Sequence, residues 1–472
     1  MARVPGTLES HGVLTTMPEL KLLFLQITVI LVVSRSLAAV SRFARQPEVV
    51  GEMVAGILLG PSVLGAISPA AMQGLFPPTS LGPLYALSQL GLVLFLFLVG
   101  LDVRRPDGLS VKAVIITSYA SIAAPFLCGG ILAWHLYSRL GNGTSRLSFV
   151  LFLGAAMSIT AFPVLARILG DRKLMNTRVG MFAISCAVVD DVTAWSLLAI
   201  ITFVARGEAN LASVTLRFAG LAVYVLGMLF LVRAMLRRFV PTNSTISPGW
   251  FAAAMVFLLA SVSATEALGV HALFGAFLAG VVMPRGGRLE AEFRGHLKSV
   301  TLVLLLPLFF AYTGLRTSFE LLANANNWLL SGLILLVAVA SKFLVSAACC
   351  RVSGMPWRES LAIGALVNTR GLVELVILNV GLDLHILSPT LFTMMVIMAL
   401  TTTLMTGPVI DRLLPSPSSH PRRRVRWSSR VTAAVRLIGD VFLSYVTSQM
   451  RVRYPRNPLT RWMRWLTLSG GS

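Results

Sequence analysis

Charged residues are scarce in this sequence. Asp, Glu, Lys and Arg make up 12% of its 472 residues, whereas they make up about a quarter of a typical soluble domain. Cysteine is rarer still, and the four cysteines have neither the spacing of a metal site nor that of a disulfide framework. The composition therefore excludes a soluble globular domain and a small disulfide-stabilised protein.

Long apolar segments dominate the chain instead. Hydrophobic residues make up 56% of it, and runs long enough for the ~30 Å hydrocarbon core of a bilayer recur throughout. We predict an all-α polytopic membrane protein with about 13 transmembrane helices. The predicted spans are 20–41, 48–65, 82–101, 113–137, 147–170, 179–204, 211–232, 248–267, 269–284, 300–315, 327–349, 359–382 and 387–410.

Basic residues are distributed unequally between the predicted loops. With 13 spans, one set of loops carries seventeen Lys and Arg residues and the opposite set carries four. Because basic loops stay in the cytoplasm, we predict an extracellular N-terminal segment (1–19), a transmembrane domain (20–410) and a cytoplasmic tail (411–472). Residues 1–19 lack the features of a cleavable signal peptide, so we expect the first span to be the anchor.

The predicted tail carries about half of the net charge of +21. Beyond Arg412 it contains eleven arginines and one acidic residue, Asp440. This charge could indicate nucleic-acid binding, but mixed Arg and Trp beside the last span favour the anionic inner leaflet. We therefore predict contact with lipid rather than nucleic acid, with an interfacial helix at 429–448. The tail is too polar for a folded nucleotide-binding domain, and we expect none.

Two predicted spans contain sequences that interrupt a helix. The fifth contains residues 158–163 (SITAFP), where proline removes a backbone donor, and the twelfth contains residues 368–371 (NTRG). If spans 1–6 and 8–13 are inverted repeats joined by the seventh, these breaks are equivalent, which is typical of a transport site near the midplane. Ser158 and Thr160 are candidate oxygen ligands there, although ordinary hydroxyl-to-backbone hydrogen bonds are the alternative.

Two adjacent acids, Asp190 and Asp191, lie in the middle of the sixth predicted span. A carboxylate at this depth costs ~3 kcal/mol on insertion scales, so it is rarely kept without a function. On a helix the two side chains point ~100° apart, and Lys342 is the only lysine in the interior of a predicted span. We expect a site that titrates near neutral pH and binds either a proton or a monovalent cation. A static ion-pair cluster is the alternative, but two acids and one base leave an unbalanced charge.

Other ionisable residues lie near the breaks or the span ends. Arg370 and Glu374 are spaced i, i+4 beside the second break, and we expect them to neutralise the ends of the broken helix. Glu266 and His271 lie near the outer ends of the eighth and ninth spans. They could line an entry funnel or simply lie at the membrane interface.

Several motifs, taken in order, resemble the monovalent cation/proton antiporter-2 family, and especially plant cation/proton exchangers and bacterial sodium/proton antiporters. The resemblance covers about residues 20–410. The motifs are QPEVVGEMVAGILLGPSVLG (46–65), LGLVLFLFLVGLDV (90–103), MSITAFPVLARIL (157–169), VVDDVTAW (188–195), GVHALFGAFLAGVVMP (269–284), LLPLFFAYTGL (305–315) and NTRGLVELVILNVG (368–381).

This resemblance implies the sodium/proton antiporter fold, with crossed discontinuous helices in a core domain that moves against a dimerisation domain, as a homodimer in the bacterial inner membrane. It implies no cofactor. Asp191 matches the ion-binding aspartate of the family, Asp190 the position before it, and Lys342 the lysine that pairs with that preceding acid. We expect no counterpart of the long regulatory regions that some members of the family have.

We therefore predict a secondary antiporter that exchanges Na⁺ or K⁺ for protons by alternating access, with the ions competing for Asp191. A Na⁺-coupled or H⁺-coupled carrier of a small organic solute is the alternative, because inverted-repeat folds also serve such carriers. An intramembrane aspartyl protease would need two carboxylates from separate helices that share a proton. Adjacent acids on one helix do not fit that chemistry, and the sequence predicts no enzyme.

Overall fold

A computed structural model describes residues 16–44, 46–102, 110–141, 143–205, 211–239, 247–269, 271–284 and 288–414. In these ranges the regular structure is helical apart from one isolated β-bridge. The predicted lipid contact of the tail and the helix at 429–448 lie outside the described residues and stay predictions. The α-helices are α1 (Thr16–Phe43), α2 (Glu48–Leu59), α3 (Pro69–Leu75), α4 (Leu81–Asp102), α5 (Val111–Leu140), α6 (Arg146–Ser158), α7 (Phe162–Asp171), α8 (Arg178–Ala205), α9 (Leu211–Leu226), α10 (Arg233–Phe239), α11 (Pro248–Ala267), α12 (Ala272–Val282), α13 (Arg288–Ser299), α14 (Leu306–Leu315), α15 (Ala325–Val339), α16 (Val345–Val352), α17 (Trp357–Val367), α18 (Leu372–Asp383) and α19 (Pro389–Leu413).

The predicted class, an all-α polytopic membrane protein, is confirmed. Within the described ranges, 11 helical segments are long and apolar enough to cross a membrane, and two shorter apolar helices, α6 and α12, accompany them. Each of the 13 predicted spans coincides with a helix or a helix pair, although the exact number of crossings stays a prediction.

The helix that contains the tenth predicted span (300–315) extends beyond it. It begins at Arg288, because α13 continues into α14 through a π-helical segment, Val300–Leu305, and the part that is long and apolar enough to cross a membrane is Glu290–Leu315. The sequence of α13 (RLEAEFRGHLKS) is polar and amphipathic, so a search for apolar runs misses it.

The helices pack as two bundles. The scaffold bundle contains α1, α2, α4, α11, α12 and α14, and the broken-helix bundle contains α5 to α8 and α15 to α19. Packing within each bundle is much more extensive than packing between them, where α2 and α19 make one of the few direct helix contacts. The fold therefore consists of two helix bundles, most of whose buried apolar side chains belong to one continuous hydrophobic core.

Backbone-to-backbone packing holds the scaffold bundle together. A Cβ atom added at Gly56 of α2 would lie 2.1 Å from the Phe310 carbonyl oxygen of α14, and one added at Gly314 would lie 2.0 Å from the Gly56 carbonyl carbon. A similar approach joins Gly100 of α4 to Gly280 of α12. Small residues that let helices approach closely are the main packing device available in lipid, so this bundle is rigid.

Candidate functional site

The two helix breaks lie side by side in the broken-helix bundle. Residues 159–161 separate α6 from α7, and residues 368–371 separate α17 from α18. The Ala161 N–H donates to the Thr369 carbonyl oxygen across the crossing, at 2.9 Å. Each break therefore supplies hydrogen-bond partners for backbone groups of the other break. Non-helical backbone inside a membrane protein needs such partners.

Asp190 is fully buried between the first break and α15–α16. Its Oδ2 atom lies 3.1 Å from Lys342 Nζ and accepts a hydrogen bond from the Thr160 hydroxyl. The same hydroxyl lies 2.7 Å from the Val367 carbonyl oxygen. Because a hydroxyl has a single proton, it can donate to only one of these two acceptors at a time. The protonation of Asp190 is therefore coupled to the hydrogen bonding of the second break.

Lys342 reaches this site from a π-helical segment, Ala340–Leu344, that joins α15 to α16. Its ammonium group is completely buried and also donates to the Ser158 carbonyl oxygen and, at 3.3 Å, to the Ser121 carbonyl oxygen. The Ser121 carbonyl is free because Pro125, four residues later in α5, has no N–H to offer it. Sequence reasoning did not identify Ser121 as a partner of Lys342. The signal in the sequence is Pro125, because a proline inside an apolar span leaves the carbonyl oxygen four residues earlier without a donor.

Asp191 has a different environment from its neighbour. Its carboxylate faces the backbone N–H of Phe162, the first residue of α7, where the positive end of a helix dipole stabilises an anion. Among the described residues, its Oδ1 atom has no hydrogen-bond partner and the carboxylate has no ion pair. A buried carboxylate without a basic partner can gain a counter-charge only from a proton or a cation.

Arg370 and Glu374 are both buried beside the second break. Their ion pair is long, at 3.4 Å, whereas the Arg370 guanidinium donates to the carbonyl oxygens of Ala156, at 2.9 Å, and of Met157. These carbonyls belong to the last turn of α6, where the helix dipole favours a positive charge. Arg370 therefore satisfies the end of the first broken helix from the second break.

The remaining candidates lie less centrally. The Ser158 hydroxyl donates to the Ala155 carbonyl oxygen of its own helix, at 2.7 Å, which is the ordinary hydroxyl-to-backbone arrangement. Glu266 is exposed at the end of α11, and His271 caps α12 by accepting from the Leu273 N–H. Both helices belong to the scaffold bundle, so the structure does not bring Glu266 or His271 to the two aspartates.

Polar contacts join the bundles near both ends of α2. Arg167 of α7 forms an ion pair with Glu48 at the start of α2. Arg316, which follows α14, donates to Asp383 of α18 at 2.6 Å. Both pairs connect the scaffold bundle to the broken-helix bundle, as does the hydrogen bond from the Asn379 amide of α18 to Thr313 of α14.

An all-helical membrane protein with two discontinuous helices around a buried carboxylate pair is a secondary ion transporter. Residues 28–415 match the sodium/hydrogen exchanger, transmembrane, family. The chain belongs to this family, which confirms the predicted resemblance.

Individual relatives agree with this assignment. The chain is 40% identical over 407 residues to the Na(+)/H(+) antiporter NhaS4 of Synechocystis, covering 84% of this chain and 98% of that protein. It is 38% identical to Cation/H(+) antiporter 17 of Arabidopsis thaliana, covering 83% of this chain and 48% of the relative. With K(+)/H(+) antiporter 1 of Saccharomyces cerevisiae the identity is 30%, over 84% of this chain and 47% of that protein. The chain thus spans about half the length of the plant and yeast relatives.

A solved structure shares the fold. The sodium proton antiporter MjNhaP1 from Methanocaldococcus jannaschii superimposes with a TM-score of 0.51 at 14% sequence identity, over 84% of this chain and 97% of that one. At this identity the match concerns the fold alone, and it confirms the predicted antiporter fold.

Proposed function

We propose that the protein is a secondary antiporter that exchanges a monovalent cation, Na⁺ or K⁺, for protons, and that the two ions compete for Asp191. One observation carries the proposal: Asp191 is buried at a helix N-terminus with an unpartnered carboxylate oxygen, and no ion pair to it is found in the described part of the chain. A single carboxylate neutralised by H⁺ or by an alkali ion, but not by both, couples the two fluxes. The proposal requires no cofactor.

Asp190 has a supporting role in this proposal. Its ion pair with Lys342 keeps one buried acid and one buried base together, which leaves the remaining negative charge on Asp191. The hydroxyl of Thr160, shared between Asp190 and the Val367 carbonyl, links this pair to the second break. When the Asp190–Lys342 pair binds a proton, the Thr160 hydroxyl can change its acceptor. This changes which backbone carbonyl oxygens are available to a cation.

Alternating access would come from relative movement of the two bundles. In the predicted topology the Glu48–Arg167 contact lies at the cytoplasmic end and the Arg316–Asp383 contact at the extracellular end. Both pairs are partly exposed, and such pairs contribute only about 0–1 kcal/mol each. They can therefore be broken and remade as the site opens to one side and then to the other.

The membrane setting is also part of the proposal. The excess of basic residues in one set of loops favours a cytoplasmic C-terminus. The antiporter family, together with 35 arginines against five lysines as expected of a GC-rich genome, favours the inner membrane of a bacterium. We further propose that the protein works as a homodimer there, with its basic tail at the anionic inner leaflet.

Reconstitution into proteoliposomes tests the proposed function. Vesicles with an imposed pH gradient and a pH-sensitive dye should lose the gradient when Na⁺ or K⁺ is added without any organic solute. Empty liposomes give the background leak. If no alkali cation changes the internal pH, the protein is not an antiporter of this kind.

Replacing Lys342 with methionine should impair the coupling of proton transport to cation transport more than it weakens cation binding. The variant keeps the length of the side chain but removes the donor to Asp190 and to two backbone carbonyls, so we expect the exchange rate to fall by about tenfold or more and its pH profile to change. The same change at Lys298, which is exposed on α13, is the matched control and should keep the profile. An unaltered pH profile in Lys342→Met would remove Lys342 from its assigned role.

A further inference from the structure

The side chain of Asn368 occupies an unusual position at the second break. The residue follows the last residue of α17, and 1% of its surface is exposed. Both amide atoms, Oδ1 and Nδ2, are buried and have no hydrogen-bond partner among the residues that the structure describes. Buried amides are normally hydrogen-bonded because an unsatisfied one costs free energy, so this amide needs a partner that is not part of the protein.

The backbone on either side of Asn368 is bonded to the first break. The carbonyl oxygen of Val367 lies 2.7 Å from the Thr160 hydroxyl, and the carbonyl oxygen of Thr369 accepts from the Ala161 N–H at 2.9 Å. Residues 160–162 are the segment that contacts the two aspartates, through the Thr160 hydroxyl and the Phe162 N–H. Asn368 therefore lies at the crossing that also holds both carboxylates.

Other polar atoms at this crossing share its lack of partners. The Oδ1 atoms of Asp190 and Asp191 are buried and unpartnered in the described structure. A second buried asparagine, Asn379 of α18, is different: its amide group donates to Thr313 and to the Leu375 carbonyl oxygen and accepts from Arg316. Of the two buried asparagines in this bundle, Asn368 is therefore the one whose amide has no partner in the described structure.

The chemistry of an amide suits one ligand in particular. Its carbonyl oxygen is a hard, neutral ligand of the kind that hard cations prefer, and it carries no proton that titrates. We propose, as an extension of the proposed function, that the Asn368 side chain is a ligand of the transported alkali cation together with Asp191. As a neutral ligand it sets the affinity for the cation, while the carboxylates carry the protons.

The substitution Asn368→Leu tests this inference, because leucine has a similar size but no oxygen. Measured in proteoliposomes, its KM for Na⁺ or K⁺ should rise by ~10-fold or more, whereas the pH profile at saturating cation stays that of the wild type. The variant Asn368→Ser, which retains an oxygen, should recover part of the affinity. If Asn368→Leu keeps the wild-type KM for each alkali cation, Asn368 is not a ligand.

Thermal unfolding of the detergent-purified protein separates this role from a structural one. Without Na⁺ or K⁺, Asn368→Leu should be at least as stable as the wild type, because leucine replaces an amide that has no partner. The stabilisation that added NaCl or KCl gives beyond choline chloride should disappear in it. The control Asn379→Leu should do the reverse, with lower stability and an unchanged KM. Lower stability of Asn368→Leu with an unchanged KM would assign Asn368 a structural role.

The assay also distinguishes failure of the inference from failure of the proposed function. Wild-type protein and an Asp191→Asn variant are measured beside Asn368→Leu. Absence of cation-driven proton flux in the wild type would overturn the proposed function. Normal wild-type flux, loss of flux in Asp191→Asn and an unchanged KM in Asn368→Leu would overturn only the assignment of Asn368.

Discussion

Replacing Asp191 with asparagine is expected to abolish exchange in proteoliposomes, the largest functional effect that we anticipate. Asparagine has nearly the shape of aspartate and can still face the Phe162 N–H, but it is neutral at every pH. The site then has no charge to be neutralised by a proton or by an alkali cation. Flux should fall to the level of empty liposomes for Na⁺ and for K⁺ across the pH range.

The folded state should survive this change. Removing a buried charge that has no ion pair among the described residues relieves desolvation, so the variant should remain monodisperse with an unfolding temperature no lower than that of the wild type. Asp411→Asn makes the same change at a half-exposed residue paired with Arg172 and should keep its flux. Substantial cation-driven flux through Asp191→Asn would refute the proposed exchange site.

Replacing Arg370 with methionine is expected to have the largest effect on stability. The guanidinium is fully buried and holds the last carbonyls of α6 together with Glu374. Its loss leaves two buried carbonyls unpaired and one carboxylate without its cation. Removing one partner of a buried ion pair costs about 3–5 kcal/mol in unfolding free energy, which thermal unfolding in detergent or nanodiscs would detect as a large fall in melting temperature.

The variant Glu374→Gln shows whether the loss of stability comes from the ion pair or from the capping of α6. It keeps the shape of the side chain and disturbs only the long contact of 3.4 Å, so it should be clearly milder than Arg370→Met if Arg370 acts mainly on the end of α6. Equal losses in the two variants would mean that the ion pair, and not the capping of α6, stabilises the crossing.

Most of the helical framework could be predicted from the sequence, because a bilayer requires long apolar helices. The predicted span 248–267 coincides with α11, and the interruption at SITAFP follows from Pro163 in an otherwise apolar run. The helix that contains the tenth predicted span extends beyond it to Arg288, and the sequence does not show this because α13 is amphipathic and gives no apolar signal. Hydropathy detects contact with lipid, and it does not detect a polar helix at the end of a span.

The candidate site could be predicted only in part. The sequence identifies the charged candidates, because a charge is costly at membrane depth. These are Asp190, Asp191 and Lys342. Which acid contacts the lysine depends on how α8 is rotated against α15–α16, and sequence spacing alone does not fix that rotation. The contacts of Ser121, Val367 and Phe162 are made by backbone atoms, which have no signature in side-chain chemistry.

In the described part of the chain, the groups found around the carboxylate pair belong to the broken-helix bundle. Asp190 and Asp191 lie on α8, the two breaks lie in the α6–α7 and α17–α18 pairs, and Lys342 lies between α15 and α16. If that bundle moves as one body, the same atoms face both aqueous phases. The intrinsic dissociation constant for the cation would then be alike on the two sides, so that similar cation concentrations would load the site from either side.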